Sequence, residues 1–291
     1  MKPPPFRHHA PRTVDEALGM LADAPGGKVL AGGQSLIPLL NMRLAAPSDL
    51  VDINGVAELD TVHVGDEGVR IGALARHARV ERSVEAAAVQ PLLGRALRHV
   101  AHPVIRNRGT VVGSLAHADP AAEMPAVLAV LGGTVEVASV RGRRTVPAAE
   151  FFVGPLESAL QPGELAVAAS FPAAPPRTGA AFAETARRHG DYALSGVAAV
   201  VTLDEDLRVG GVRAGYLGIA PVPLVLDLTG AAGPHGDWPA AAAYVRDRID
   251  PDADIHASAR YRRHLTGVLT ERALATAAAR SLDRALRRAR D

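Results

Sequence analysis

Apolar positions near the start of the chain follow a helical spacing first and a strand-like run second. Val14, Ala17, Leu18 and Leu21 recur every three or four residues, which puts them on one face of a helix over residues 14–22. Thr13 stands where an N-cap belongs, with Glu16 in capping-box spacing, and Pro25-Gly26-Gly27 ends the helix. Before it, Pro3, Pro4 and Pro5 mark a loop or a short extended piece. After it, Lys28-Val29-Leu30-Ala31 reads as a buried strand that stops at Gly32-Gly33. A second helix over residues 35–44 and a short strand over 50–53 complete a small β-α-β arrangement.

A second unit runs from about residue 60 to 175. Val69-Arg70-Ile71 predicts a strand and residues 81–101 a helix. Residues 106–119, with Gly, Ser and Asn among them, read as turns with short extended pieces. Asp119-Pro120 makes a helix start, Asp as N-cap and Pro in the first position, for a helix that stops at Gly132-Gly133. Residues 134–138 and Thr145-Val146 flank Arg141-Gly142-Arg143 as a hairpin, and residues 164–171 close the unit as a strand. Pro172, Pro175 and Pro176 mark a linker over 172–179. Beyond it, apolar runs over 197–203 and 207–217 flank Asp204-Glu205-Asp206 as a hairpin, and from Trp238 on the periodicity is mostly helical.

Composition narrows the function. Charges nearly cancel, with 32 Lys and Arg against 31 Asp and Glu, so the concentrated basic face of a nucleic-acid binder is missing. The one basic cluster, Arg284 to Arg290, reads as the solvated face of a last helix. With 0 Cys, the chain has no disulfide, no thiolate nucleophile and no thiolates of its own for zinc or an iron–sulfur cluster. Aromatics make up 3%, so the core is built from Ala, Val and Leu. No apolar stretch of about 18 residues predicts a membrane span, and the N-terminus lacks a signal-peptide h-region; a cytoplasmic protein is expected.

Two glycine-bearing loops carry candidate chemistry. In the first, a strand ends in Gly32-Gly33, followed by Gln34, Ser35 and a helix. Glycines permit positive φ and close approach of a ligand, successive backbone N–H groups form an anion nest, and the helix start adds its positive end. That suits a pyrophosphate, and equally describes a plain tight turn; it is neither a P-loop nor the G-x-G-x-x-G pattern. The second loop, residues 106–123, again joins Gly, hydroxyls and a helix start. His99 and His102 are three apart but have no third ligand nearby. Ser114, His117 and Asp119 lie too close in sequence for a catalytic triad and lack a nucleophile elbow.

In this order and spacing, the loops resemble the FAD-binding medium subunit of the xanthine dehydrogenase and carbon monoxide dehydrogenase group of molybdenum hydroxylases. The likeness spans essentially the whole chain. It rests on Lys2-Pro3-Pro4-Pro5-Phe6 with His9 to Thr13, on Ala31-Gly32-Gly33-Gln34-Ser35-Leu36-Ile37-Pro38, on Arg106-Asn107 to Glu123, on Ala186 to Leu194, and on Tyr261-Arg262-Arg263-His264-Leu265. The resemblance implies an α+β chain: a PCMH-type two-subdomain FAD-binding domain (residues 1–58 and 59–174) followed by a C-terminal α+β domain (178–291) of the carbon monoxide dehydrogenase flavoprotein type.

As the resemblance implies, Val29, Leu30, Ala31, Gly32, Gly33, Gln34, Ser35 and Leu36 wrap the FAD pyrophosphate. Thr110, Val111, Val112, Gly113 and Ser114 meet the phosphates and ribityl chain from the other side, and Glu123 contacts the cofactor. Asp119 is either a further contact or a pure helix cap, and Tyr192 either sits near the isoalloxazine ring or is a core tyrosine. Two positions depart from the family pattern. Val112 replaces the first of two paired glycines, and Ala183 followed by Glu184 stands where several relatives have a lysine. The implied function is electron relay, with no side chain acting as acid or base. A small subunit with two [2Fe-2S] clusters delivers electrons from a molybdopterin large subunit, and the flavin passes them to NAD, a quinone or oxygen. Heterotrimers of this kind are commonly dimerised. The alternatives are a stand-alone FAD-dependent oxidoreductase or monooxygenase, which would turn over alone, and an assembly module that has lost FAD.

Overall fold

The structure, a computed structural model, describes residues 1–288. Its first helix is set by its cap. The Glu16 N–H donates to the Thr13 hydroxyl at 3.2 Å, and α1 (Val14–Asp23) buries Val14, Ala17, Leu18 and Leu21. The Glu16 carboxylate reaches past the cap to accept from the Arg12 N–H at 2.7 Å. Beside it, β1 (Arg7–His9), β2 (Lys28–Leu30) and β3 (Asp49–Asp52) form a parallel sheet in the order β1-β3-β2. The central β3 is buried. β2, expected as buried, is an edge strand and only partly covered. Its free edge leads directly into the first glycine loop and α2 (Leu36–Asn41), which is shorter than the predicted helix.

The second sheet is antiparallel, in the order β4-β5-β10-β6-β7. It comprises β4 (Val62–Gly65), β5 (Gly68–Gly72), β6 (Thr134–Ser139), β7 (Gly142–Pro147) and β10 (Leu165–Pro172), with α9 (Ala148–Phe151) and the small ribbon β8 (Phe152–Gly154) and β9 (Glu157–Ser158) between the last two. Two expectations fail here. Residues 81–101 are not one helix but the end of α3 (His77–Arg82), then α4 (Val84–Val89) and α5 (Pro91–Leu97). Ser83 caps α4 by accepting from Ala86 N–H at 3.0 Å, and Gln90 caps α5, whose Pro91 takes the first position where no N–H is required. Residues 106–119 are not turns but largely helical, in α6 (Pro103–Arg106) and α7 (Val111–His117). The Thr110 hydroxyl caps α7 by accepting from Gly113 N–H at 3.1 Å, and Ala118 ends it with φ of 51°.

Nor does a helix start at Asp119-Pro120. The Asp119 carboxylate accepts from Ala121 N–H at 2.8 Å in a local turn, and α8 (Glu123–Leu131) begins at Glu123. Met124, Pro125, Ala126, Val127, Leu128 and Val130 are all buried, the mark of a helix covered on every side. It packs on α5 and α7 and also on the third sheet. That sheet runs β11-β12-β13-β14, antiparallel, with β11 (Thr178–Ala186), β12 (Ala193–Leu203), β13 (Val209–Leu217) and β14 (Leu224–Asp227). Gly215 lets β13 approach α8: a Cβ there would lie 2.8 Å from the Ala126 carbonyl oxygen.

The predicted hairpin across Asp204-Glu205-Asp206 joins β12 to β13. The stretch expected as a linker passes from the end of β10 straight into β11, an unpredicted strand. The remaining elements are α10 (Thr229–Ala232), α11 (Trp238–Arg246) and α12 (Ala259–Arg288), the last packed along β11 and β12. The basic run 284–290 extends beyond the described residues. Its first member, Arg284, is not simply solvated, since it donates to the Thr178 carbonyl at 3.2 Å. Among the described residues no helix is long and apolar enough to cross a membrane.

Arg262, from the fourth sequence motif, locks the end of this sheet. Its Nη1 donates to the carbonyls of Leu194 at 2.6 Å and Gly218 at 2.8 Å, and its Nη2 to Asp254 at 2.5 Å. Gly218 N–H in turn donates to the Pro120 carbonyl at 2.8 Å, which ties the sheet to the segment before α8. Arg262→Met would keep the bulk but leave buried carbonyls unpaired. It is expected to lower unfolding free energy by about 2–4 kcal/mol, read from urea denaturation midpoints at an unchanged slope.

Candidate cofactor-binding site

The first glycine loop leaves β2 and turns into α2 through Gly33, whose φ is 71°. The Ile37 N–H donates to the Gly33 carbonyl at 3.0 Å and opens the helical turn. Gln34 Nε2 folds back onto the Gly32 carbonyl at 3.0 Å. Ser35 occupies the cap position in right-handed backbone, with no side-chain cap bond. Among the described residues, the N–H groups of Gly32, Gly33, Gln34 and Ser35 have no acceptor, side chain or backbone. Successive unpaired N–H groups at a positive-φ turn form an anion nest. α2 spans only Leu36–Asn41, so any anion affinity of this loop rests on the nest rather than on a long helix behind it.

The second loop lies against the first. A Cβ on Gly32 would collide with the Arg108 carbonyl oxygen and stand 2.7 Å from Gly109 Cα. Gly109 in turn rests on His77, whose Nδ1 would be 3.0 Å from a Cβ there. Arg76 staples the same contact: its Nη1 donates to the Arg108 carbonyl at 2.5 Å and its Nη2 to Asn54 Oδ1 at 2.6 Å. Asn54 Nδ2 donates to the Ala31 carbonyl at 2.8 Å, which closes the circuit back to loop one. A single bridge between Arg76 and Thr110 then sets the start of α7.

The glycine replaced by Val112 is accommodated without strain. Val112 is 2% exposed in the first turn of α7, a core side chain in helical backbone that needs no positive φ. Gly113 remains necessary, because a Cβ would stand 2.5 Å from the Thr110 hydroxyl oxygen.

At the far end of α7, about 10 Å away by helix rise, lies a second group of predicted residues. Asp119, Glu123 and Tyr192 meet here: both carboxyls push the Tyr192 hydroxyl pKa up, though burial is the larger cause. Tyr192 is not a core tyrosine; it is 67% exposed. The core tyrosine is Tyr216, fully buried with its hydroxyl 3.2 Å from that of Thr270. Burial, then the neighbouring Glu184 and Asp119, push Glu123 up to about 8, against the pull of its own backbone N–H and of Arg106. His99 and His102 do not converge: His99 faces Glu184 at 3.5 Å and Phe182 at 5.1 Å, whereas His102 lies against His189 at 5.8 Å.

Sequence reasoning passed over Asn54, Arg76 and His77, which join the loops at Gly109 of the second motif, and Glu184, which is the largest charge influence on Glu123. Arg76-His77 lies in a segment with no motif signal, and its role is visible only once β5 delivers it beneath Gly109. Glu184 was visible as the residue after Ala183. What went unseen was that β11 turns it, with Phe182 two residues earlier, toward His99.

Comparison with known proteins gives consistent matches. Residues 4–174 match the model described as the FAD binding domain in molybdopterin dehydrogenase, and residues 180–277 that of the CO dehydrogenase flavoprotein C-terminal domain. The 6-hydroxypseudooxynicotine dehydrogenase complex subunit alpha of Paenarthrobacter nicotinovorans is 43% identical, over 95% of this chain and 96% of its own. The nicotine 6-hydroxylase medium subunit of the same organism is 40% identical, over 97% and 100%. A solved carbon monoxide dehydrogenase from Hydrogenophaga pseudoflava superposes with a TM-score of 0.91 at 34% identity, over 96% of this chain and 99% of that one.

His77 makes the loop contact pH-sensitive. It is 4% exposed, and burial, then the charge of Arg106, hold its pKa down at about 4 against the opposing pull of the Thr110 backbone. The unfolded chain takes up this proton near pH 6.5, the folded chain only near 4. Stability therefore falls as pH drops across that window and is flat in this respect outside it. The His77 contribution is on the order of 3 kcal/mol. Urea midpoints measured between pH 7 and 4 are expected to fall less steeply for His77→Gln than for the wild type.

Proposed function

The chain belongs to the FAD-binding medium subunits of the molybdenum hydroxylases, and from that premise we propose that it relays electrons from iron–sulfur clusters on a partner chain to an external acceptor. It is an oxidoreductase subunit whose cofactor is FAD. The observation that carries the proposal is the Gly32–Gly109 contact, which brings an anion nest and the capped start of α7 to one place. In this reading, residues 29–36 hold the pyrophosphate, and Thr110, Val111, Val112, Gly113 and Ser114 flank it. Asp119, Glu123 and Tyr192 stand toward the ring. The unpaired N–H groups from Gly32 to Ser35 fit a doubly charged diphosphate, and the span of α7 separates that end from the acidic group.

FAD supplies the capacity to accept electrons singly and release them in pairs. What the chain contributes is binding, orientation and electrostatic environment. With 0 Cys it cannot hold an iron–sulfur cluster on thiolates, so relay requires a [2Fe-2S] small subunit, and substrate oxidation a molybdopterin large subunit. The names of its relatives, a medium subunit and a subunit of a dehydrogenase complex, support that division. The grouping of β1 to β3, of β4 to β7 with β10, and of β11 to β14 into separate sheets supports the proposed three-part division at 1–58, 59–174 and 178–291.

The purified chain is expected to carry stoichiometric, non-covalent FAD, seen in its visible spectrum and released on denaturation. Gly32→Ala, which forces the two loops apart, is expected to weaken FAD binding by about 100-fold or more, roughly 2.7 kcal/mol, in a fluorescence titration. A colourless chain that cannot be reconstituted overturns the reading. Steady turnover of a small molecule by the FAD-loaded chain alone overturns the relay and leaves the cofactor site standing.

A further inference from the structure

We propose that Asp52 is a positioning residue for FAD: it holds the Asn54 side-chain amide in one orientation, and through Asn54 and Arg76 keeps the two glycine loops at the spacing that the pyrophosphate needs. This rests on the FAD-binding reading above and extends it to a carboxylate outside both loops.

The line begins at the end of β3. Asp52 pairs with Leu30 across the sheet, so it stands beside the last residue of β2, where the first loop begins. Its Oδ1 accepts from the Asn54 backbone N–H at 3.0 Å, which caps a single 3-10 turn over Ile53–Gly55. The same oxygen accepts from Asn54 Nδ2 at 2.6 Å. Ile53 and Val56 on either side are core residues, so the backbone at Asn54 is held and only its side chain remains to be aimed. The other carboxylate oxygen faces His8 Nε2 at 3.6 Å, too far for a hydrogen bond.

Each neighbour of the Asn54 amide has a fixed role. The Asp52 carboxylate and the Ala31 carbonyl can only accept, and the Arg76 guanidinium can only donate. Nδ2 therefore points to Asp52 and, at 2.8 Å, to the Ala31 carbonyl, while Oδ1 accepts from Arg76 Nη2 at 2.6 Å. Reversing the amide would break all three bonds. Arg76 carries the line on to the Arg108 carbonyl at 2.5 Å, the group against which Gly32 packs. Its backbone also bridges to Thr110 at the start of α7. Hydrogen bonds thus run unbroken from β3 through Asn54 to the first loop, and through Arg76 to the second.

Charge alone argues against a carboxylate at this place. Asp52 is joined through the Asn54 amide to Ala31, the residue before the anion nest, and a negative group there repels a diphosphate. Its contribution to binding therefore comes through the groups it orders. Asn54 is exposed, so water competes for its amide, and an acceptor fixed at the end of β3 keeps that amide aimed. Loops already held at their spacing need less ordering when FAD binds, which strengthens binding without a new contact to the cofactor.

The test uses the full chain, freed of FAD and titrated with FAD by flavin fluorescence, with release followed after dilution and folding checked by urea midpoints without FAD. Asn54→Ala leaves the backbone cap intact and adds no charge. It is expected to weaken FAD binding about tenfold and to speed release, at an unfolding midpoint close to that of the wild type. Asp52→Ala is expected to weaken binding at least as much, although it removes a negative charge near an anion site. Asp52→Asn, which keeps an acceptor oxygen toward Asn54, is expected to recover most of that loss. Asn54→Ala, at an exposed position, carries the test should Asp52→Ala fail to fold. If Asn54→Ala binds FAD like the wild type, or Asp52→Ala binds it as tightly or more tightly, the proposal falls while the FAD reading stands. Equal losses in Asp52→Asn and Asp52→Ala also overturn it. If the wild type binds no FAD, both fall.

Discussion

Everything in the site depends on one backbone contact: Gly32 laid against Arg108 and Gly109, with Gly109 resting on the His77 ring. No side chain can be inserted into this stack. It fixes two chain segments about eighty residues apart in sequence side by side. The circuit through Asn54, Arg76 and the carbonyls of Ala31 and Arg108 holds the stack with two charge-assisted bonds from Arg76, at 2.5 and 2.6 Å, and a neutral amide bond from Asn54 at 2.8 Å. The strand that feeds it, β2, sits at a sheet edge.

The second requirement is separation. Binding a long dinucleotide calls for one end that welcomes negative charge and another that tolerates a large flat ring. In the proposed FAD reading α7 provides the spacing, with Val112 buried in its first turn. A valine in place of a glycine costs nothing where the backbone is helical and the side chain enters a core that already contains Val111 and Leu115. α8 then joins the acidic end to the third sheet through Ala126 and Gly215.

Local chemistry was legible in the sequence wherever it is settled within a few residues. The Thr13 cap, the Gly32-Gly33 turn and the Asp204 hairpin were all readable. Helix boundaries that depend on competing caps were not. Gln90-Pro91 interrupts what periodicity shows as one helix, and Thr110, read as part of a loop, starts α7 because its hydroxyl meets Gly113 N–H. Asp119 shows the reverse. An Asp-Pro pair suited to a helix start instead makes a turn, and the chain waits until Glu123 to become helical. His77 and Glu184 were out of reach, because their importance arises from what the folded chain stacks on them.

Glu123 shows how such a context can override a local rule. A carboxylate in the first turn of a helix is normally stabilised in its charged form by the N–H groups there. In α8 that pull is present, yet burial and a second carboxyl outweigh it and raise the group to about 8. The helix start then has a different consequence: once Glu123 releases its proton, the same N–H groups favour the resulting carboxylate. Opposed influences of this kind bring the protonated and ionised forms close in free energy near physiological pH. A fully buried acid with no helix start behind it would hold its proton too tightly to release it, and an exposed one would never keep it.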